Sequence, residues 1–185
     1  MKNFKRNIYR LSSSDCTFTG TASEVEVVTL PVTGLVWDTT VNNACNATPW
    51  VISNSNLTIR YNITNSVNCG GTCQSLQAGT ATATITVGAK DVYMGLDFDG
   101  IGELQASQFE IIKFSLDGVQ IADAHAAGGN LGCAMGPVVK TFTQPSPYFL
   151  AANSVHTLFI DFTTADPLFH VGAYYEVQLS FTEIQ

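Results

Sequence analysis

Asn56-Leu57-Thr58-Ile59-Arg60-Tyr61-Asn62-Ile63 places Leu57, Ile59, Tyr61 and Ile63 at every second position. Asn56, Thr58, Arg60 and Asn62 fill the positions between. Successive side chains of a strand point to opposite faces, so this period of two describes a strand with one face in a core and the other in water. A helix would instead gather its apolar residues at spacings of three and four.

The same alternation recurs on both sides of this stretch. Ala81, Ala83, Ile85 and Val87 alternate with Thr82, Thr84 and Thr86, and Val92, Met94, Leu96 and Phe98 follow. Later come His156, Leu158, Ile160 and Phe162, then Tyr175, Val177, Leu179 and Phe181. Shorter strand candidates lie at 24–30, 34–38, 109–116, 119–123 and 138–143. Leu116-Asp117-Gly118-Val119 predicts a tight hairpin, because Asp-Gly accepts the positive φ values that such turns require. Pro145 and Pro147 make 144–148 extended or edge-like, since proline cannot donate to a ladder. Gly128, Gly129, Gly132 and Gly136 mark 126–137 as a long surface loop, and 103–108 is the one helix candidate. Many short strands joined by Gly and Asn turns predict an all-β protein. The expected architecture is a single antiparallel β-sandwich of jelly-roll type over 15–185, preceded by an extended N-terminal arm at 1–14.

Composition agrees with strands. Charged residues make up 12% of the chain, while 21 Thr, 13 Ser, 12 Asn and 8 Gln supply the polar surface. Branched Thr packs well on a pleated sheet. The charges divide sharply: Lys2, Lys5, Arg6 and Arg10 give the first ten residues +4 with no acid. Residues 11–185 carry Arg60, Lys90, Lys113 and Lys140 against all fifteen acids, a formal −11. An acidic body argues against nucleic acid as the main partner, because phosphate contacts need clustered Lys or Arg. No stretch approaches the ~20 apolar residues of a membrane span. Asn7-Ile8-Tyr9-Arg10-Leu11-Ser12 lacks the apolar core of a signal peptide.

Four groups of residues invite a chemical reading. Asp97-Phe98-Asp99-Gly100-Ile101-Gly102-Glu103-Leu104 resembles the start of a calcium loop, with acids at positions one and three and glycine at six. Asp97, Asp99 and Glu103 are the calcium candidates; position twelve is Gln108, and the competing reading is an acidic turn between strands. Cys69-Gly70-Gly71-Thr72-Cys73 suits a local disulfide, or two ordinary thiols in a loop, better than zinc, because no second cysteine pair completes a tetrahedral set. The remaining Cys16, Cys45 and Cys133 leave an odd, scattered count. His125, His156 and His170 lack the spacing of a jelly-roll metal enzyme, and no serine or cysteine is marked as a nucleophile beside a histidine. Sequons at Asn46, Asn56 and Asn62 are expected by chance in a Thr-rich chain. Trp37, Trp50, Tyr148, Tyr174 and Tyr175 offer aromatic faces that either stack on sugar or pack the core.

Val155-His156-Thr157-Leu158-Phe159-Ile160-Asp161-Phe162, the loop to His170-Val171-Gly172-Ala173, and 174–181 resemble the closing strands of small β-sandwich virion proteins of tailed bacteriophages. Capsid decoration, head-fibre and tail parts belong to that group. The resemblance extends over residues 81–181 and carries no signature motif, so it transfers no site residues. It implies a non-enzymatic structural virion protein, made in the host cytoplasm and released without a signal peptide. Lys2, Phe4, Lys5, Arg6, Ile8, Tyr9 and Arg10 would then anchor the chain on other virion or shell proteins. A homo-oligomer is expected, because a body with few charges leaves its sheet edges unguarded. The alternative is a carbohydrate-binding, lectin-like module that engages a receptor glycan.

Overall fold

The computed structural model describes residues 30–41, 49–63, 79–102, 111–126, 136–144, 146–161 and 172–185. They form eleven strands: β1 (Val32–Val41), β2 (Trp50–Ser53), β3 (Thr58–Asn62), β4 (Gly79–Val87), β5 (Val92–Gly102), β6 (Ile112–Leu116), β7 (Val119–Ala126), β8 (Gly136–Phe142), β9 (Tyr148–Leu150), β10 (Val155–Asp161) and β11 (Tyr174–Glu183). Every pairing is antiparallel. Ten strands follow one continuous path, β1-β4-β10-β6-β7-β8-β5-β11-β3-β2, and β9 adds to β5. The all-β, antiparallel expectation therefore holds. The division into two stacked sheets does not emerge clearly, because the path is a single sheet nearly closed into a barrel. β8 is the reason: Val138–Phe142 pair with β7, whereas Gly136 and Pro137 pair with Gly102 and Ile101 of β5. One strand thus belongs to both halves.

Alternation in sequence becomes alternation in burial. Ala81, Ala83, Ile85 and Val87 of β4 face inward, as do Val92, Met94 and Leu96 of β5 and Tyr175, Val177 and Leu179 of β11. Phe98 of β5 meets Phe114 of β6 edge-on at 5.8 Å and stacks on Tyr175 at 6.4 Å, tying the two halves across the interior. Complete burial of a side chain such as Phe114 or Ile85 contributes about 1.5–3 kcal/mol. Gly102 is required by this packing. A Cβ there would fall on the Tyr175 hydroxyl and within 2.6 Å of its Cζ.

The Asp117-Gly118 hairpin joins β6 to β7 as expected, with φ of 49° and 82° at its two central residues. The 57–63 stretch supplies β3, which sits between β2 and β11. Two strands carry no sequence alternation. β2 is a four-residue edge strand whose last three residues are exposed, and β9 is a three-residue strand following the Pro147 bend. The basic arm, residues 24–29 of the first strand candidate, the 103–108 helix candidate and most of the 126–137 loop lie outside the described residues.

The two ends of the path, β1 and β2, meet through side chains rather than a ladder. The Trp50 indole N–H donates to the Thr40 carbonyl at 3.0 Å. The Trp37 indole N–H donates to the Asn56 carbonyl at 2.7 Å, and the Asn56 side-chain amide donates back to the Leu35 carbonyl at 2.9 Å. Asn54, Ser55 and Asn56 hold three successive left-handed conformations, with φ of 52°, 53° and 69°. Asn tolerates this region better than most residues. The β2–β3 turn is thereby shaped to press Asn56 against β1 and close the seam.

Candidate functional site

Side chains fill the inside of the near-barrel. The void between Trp50, Ile59, Phe98, Ile112 and Ile160 measures about 10 Å³, too little for any ligand beyond a single water. The larger concavity lies on the outside, where β5 and β8 part. It measures about 620 Å³ and is open to solvent. Gly95, Asp97 and Phe98 line one wall, Val138, Lys140 and Phe142 the other, with Ser146 and Ser180 at its margins.

This cleft follows from strand register. β8 pairs with β5 only at Ile101 and Gly102, and β9 takes up β5 again at Val92–Met94. Among the described residues, Gly95–Gly100 have no ladder partner on that side. Lys140 leans over the Phe142 ring at 4.3 Å, and burial pulls its ammonium down to about 8 while the more distant Asp97 carboxylate opposes the shift. No ion pair reaches Lys140 among the described residues.

The supposed calcium loop is strand instead of turn. Asp97 and Asp99 both lie in β5, exposed on its outer face. An extended strand spaces such carboxylates by about 6.6 Å along a line, whereas a calcium loop wraps them around the ion. Asp99 accepts a hydrogen bond from the Tyr174 hydroxyl at 3.0 Å, which raises the phenol above its ordinary range. The Arg60 guanidinium covers the Tyr174 ring at 4.2 Å and bonds Glu176 at 2.8 Å. These four residues form a cross-strand net over β3, β11 and β5. Glu103, Cys69, Cys73 and every arm residue lie outside the described residues, and among those described no group of three His, Cys, Asp or Glu is arranged to hold a metal.

The aromatic candidates are largely committed. Trp37 and Trp50 hold the seam, and Trp50 also packs edge-on against Tyr61 at 4.6 Å. Tyr175 is buried. Tyr148 is buried too; its hydroxyl donates to the Ile121 carbonyl at 3.3 Å, and burial raises its phenol. Among the described residues the exposed aromatics are ones the sequence did not single out: Tyr93 and Phe149, an edge-on pair at 6.3 Å, and Phe142.

His125 and His156 face different aspartates, Asp123 and Asp117. His156 sits in a chain that sequence reasoning missed. Ser154 Oγ is 2.7 Å from His156 Nε2, and His156 Nδ1 is 2.7 Å from Asp117 Oδ2. This is the hydrogen-bond order of an acyl-transfer triad. The surroundings do not suit that chemistry. Ser154 Oγ already donates to the Ala151 carbonyl. Two amides close to Ser154 that could serve an oxyanion donate elsewhere: Ala152 to Asp91 at 2.8 Å and Asn153 to the Gly88 carbonyl at 2.7 Å. The chain instead fastens the Asp117 turn to the start of β10, with Thr157 N–H donating to Asp117 Oδ1 at 2.8 Å. Burial raises the Asp117 carboxyl, but the His156 hydrogen bond, the Thr157 N–H and the imidazole charge together hold it below its ordinary value. The spacing Ser154-x-His156 on one strand face was the available signal; the aspartate lies on another hairpin.

No protein-family model matches this chain, and no curated protein is detectably similar to it in sequence. Among the described residues no helix is long and apolar enough to cross a membrane.

Proposed function

We propose that this chain is a non-enzymatic structural component of a particle, of the virion class its closing strands resemble. Its body would be a flattened roll of jelly-roll type, docked on neighbouring subunits through the basic arm and self-associating through exposed edges. The observation that supports this most is the filled interior. Among the described residues the void between the packed faces measures about 10 Å³, which leaves no room there for a substrate. Synthesis in a host cytoplasm and release by lysis fit the same reading. Deleting residues 1–12 tests it: the body keeps its far-UV spectrum and melting temperature, while incorporation into the parent assembly is lost. Incorporation of the truncated chain at full stoichiometry refutes the arm as anchor.

The exposed Tyr93–Phe149 pair favours glycan binding as a second reading, since an exposed aromatic ring face stacks on sugar rings. Binding on a glycan array that is lost with Phe149→Ala, and unaffected by Trp37→Phe, distinguishes this role from the structural one.

A further inference from the structure

We propose that the cleft between β5 and β8 takes up an extended peptide bearing a carboxylate, which adds to β5 as a strand and pairs its acid with Lys140. The inference does not depend on the particle role, because it rests on geometry within one copy of the body.

Backbone comes first. Among the described residues Gly95–Gly100 is an open edge between the β8 and β9 pairings, and six residues at ~3.3 Å each give about 20 Å of strand. The opposite wall is also a strand, since β8 leaves β5 at Pro137 and follows β7 to Phe142. On each wall, alternate residues turn their N–H and C=O groups toward the gap. Unpaired strand edges of this kind are the template for strand addition.

Charge selects the occupant. Lys140 is half-buried in the cleft wall, held over Phe142, and among the described residues has no acidic partner such as Arg60 has in Glu176 and Lys90 in Glu183. Burial destabilises its charged form, as the lowered ammonium value reports. An incoming carboxylate would offset that cost, whereas an incoming cation would add to it. Asp97 acts on Lys140 from beyond ion-pair distance and would oppose the guest acid. Val139 and Phe142, 43% and 40% exposed, supply apolar contact for a neighbouring branched side chain.

The test is a ¹⁵N-NMR titration of the full chain with a capped heptapeptide alternating valine and threonine around one central glutamate. The expected result is movement of the Gly95–Gly100 and Lys140 amides, with affinity about tenfold above the glutamine analogue, the worth of a charge-assisted hydrogen bond. Lys140→Met and Lys140→Gln should each erase the difference between the two peptides, and Asp97→Asn should increase it. Equal affinities, shifts confined to other strands, no binding at millimolar peptide, or preference for a lysine-centred peptide would each overturn the proposal. Urea unfolding of the Lys140 variants at least as resistant as that of the native chain separates loss of the site from loss of the fold.

Discussion

Asn56 carries the seam, and its replacement separates hydrogen bonding from backbone strain. In Asn56→Gly the φ of 69° costs nothing, but the amide bond to the Leu35 carbonyl is gone. That bond is worth about 1 kcal/mol, and the freer unfolded chain adds about 0.5 kcal/mol, for a loss near 1.5. Asn56→Ala avoids the unfolded-state term but replaces a residue that tolerates the left-handed region with one that does not, at about 1 kcal/mol, for a loss near 2. The expected order of stability is therefore native, then glycine, then alanine. Trp37→Phe removes the reciprocal indole bond to the Asn56 carbonyl and should cost about 1 kcal/mol, plus any lost packing. Urea denaturation by intrinsic fluorescence and far-UV dichroism reads these differences, provided the m-value stays constant. An alanine variant as stable as the glycine variant, or either one within ~0.3 kcal/mol of the native chain, would show that the seam does not hold β1 against the β2–β3 turn.

Three further outcomes are expected. Gly102→Ala should destabilise by about 3 kcal/mol through collision with Tyr175, and Tyr175→Leu in the same chain should recover part of the loss in a double-mutant cycle. Asp117 is held below its ordinary value when folded, so its contribution is present above about pH 4 and is lost as pH falls through the folded value. With half the side chain exposed this amounts to about 0.5 kcal/mol, and melting curves of Asp117→Asn should lack that acid limb. Lys140 behaves oppositely: between about 8 and 10.5 the unfolded chain holds a proton that the folded chain has released, so stability rises with pH across that window. Lys140→Met should abolish the rise and, after discounting for solvent exposure, gain about 1 kcal/mol at pH 7, measured by denaturant titration at pH 7 and pH 10.

Strands that alternate were legible, and strands that do not alternate were not. β3, β4, β5, β10 and β11 each bury one face over at least five residues, so their period of two is written in the chain. The Asp117-Gly118 turn was equally plain, because few residue pairs accept two positive φ values. β2 exposes both faces at an edge, so its Trp50-Val51-Ile52-Ser53 run records no inside and outside. Closure was hidden for a related reason. Alternation specifies which face is buried but not how far a sheet continues, and a strand such as β8 that serves both halves looks like any other five- to seven-residue run. Trp37 and Trp50 pack against the core, as one of their two readings had it, and their indole N–H groups also bridge the ends of the path, which alternation does not record.

The cleft was illegible because a free edge is a property of pairing and not of residue type. Gly95–Gly100 alternates in and out as a fully paired strand does, and Asp97-Phe98-Asp99-Gly100 drew the eye toward calcium by composition alone. One residue did carry the information. Pro137 has no N–H to give, and prolines within sheets mark edges, bulges or the start of a strand. It stands opposite Ile101, at the last pairing before β8 turns away from β5. A ladder that meets proline loses a bond there, so separation beyond it costs less than separation elsewhere along β8. The half-buried Lys140 three residues further on then works against reclosure: bringing β5 onto β8 would bury that ammonium more deeply beside Phe98, with Asp97 turned to the outer face. Proline favours the split and the half-buried lysine disfavours its closing, which leaves Gly95–Gly100 without a ladder partner on that side among the described residues.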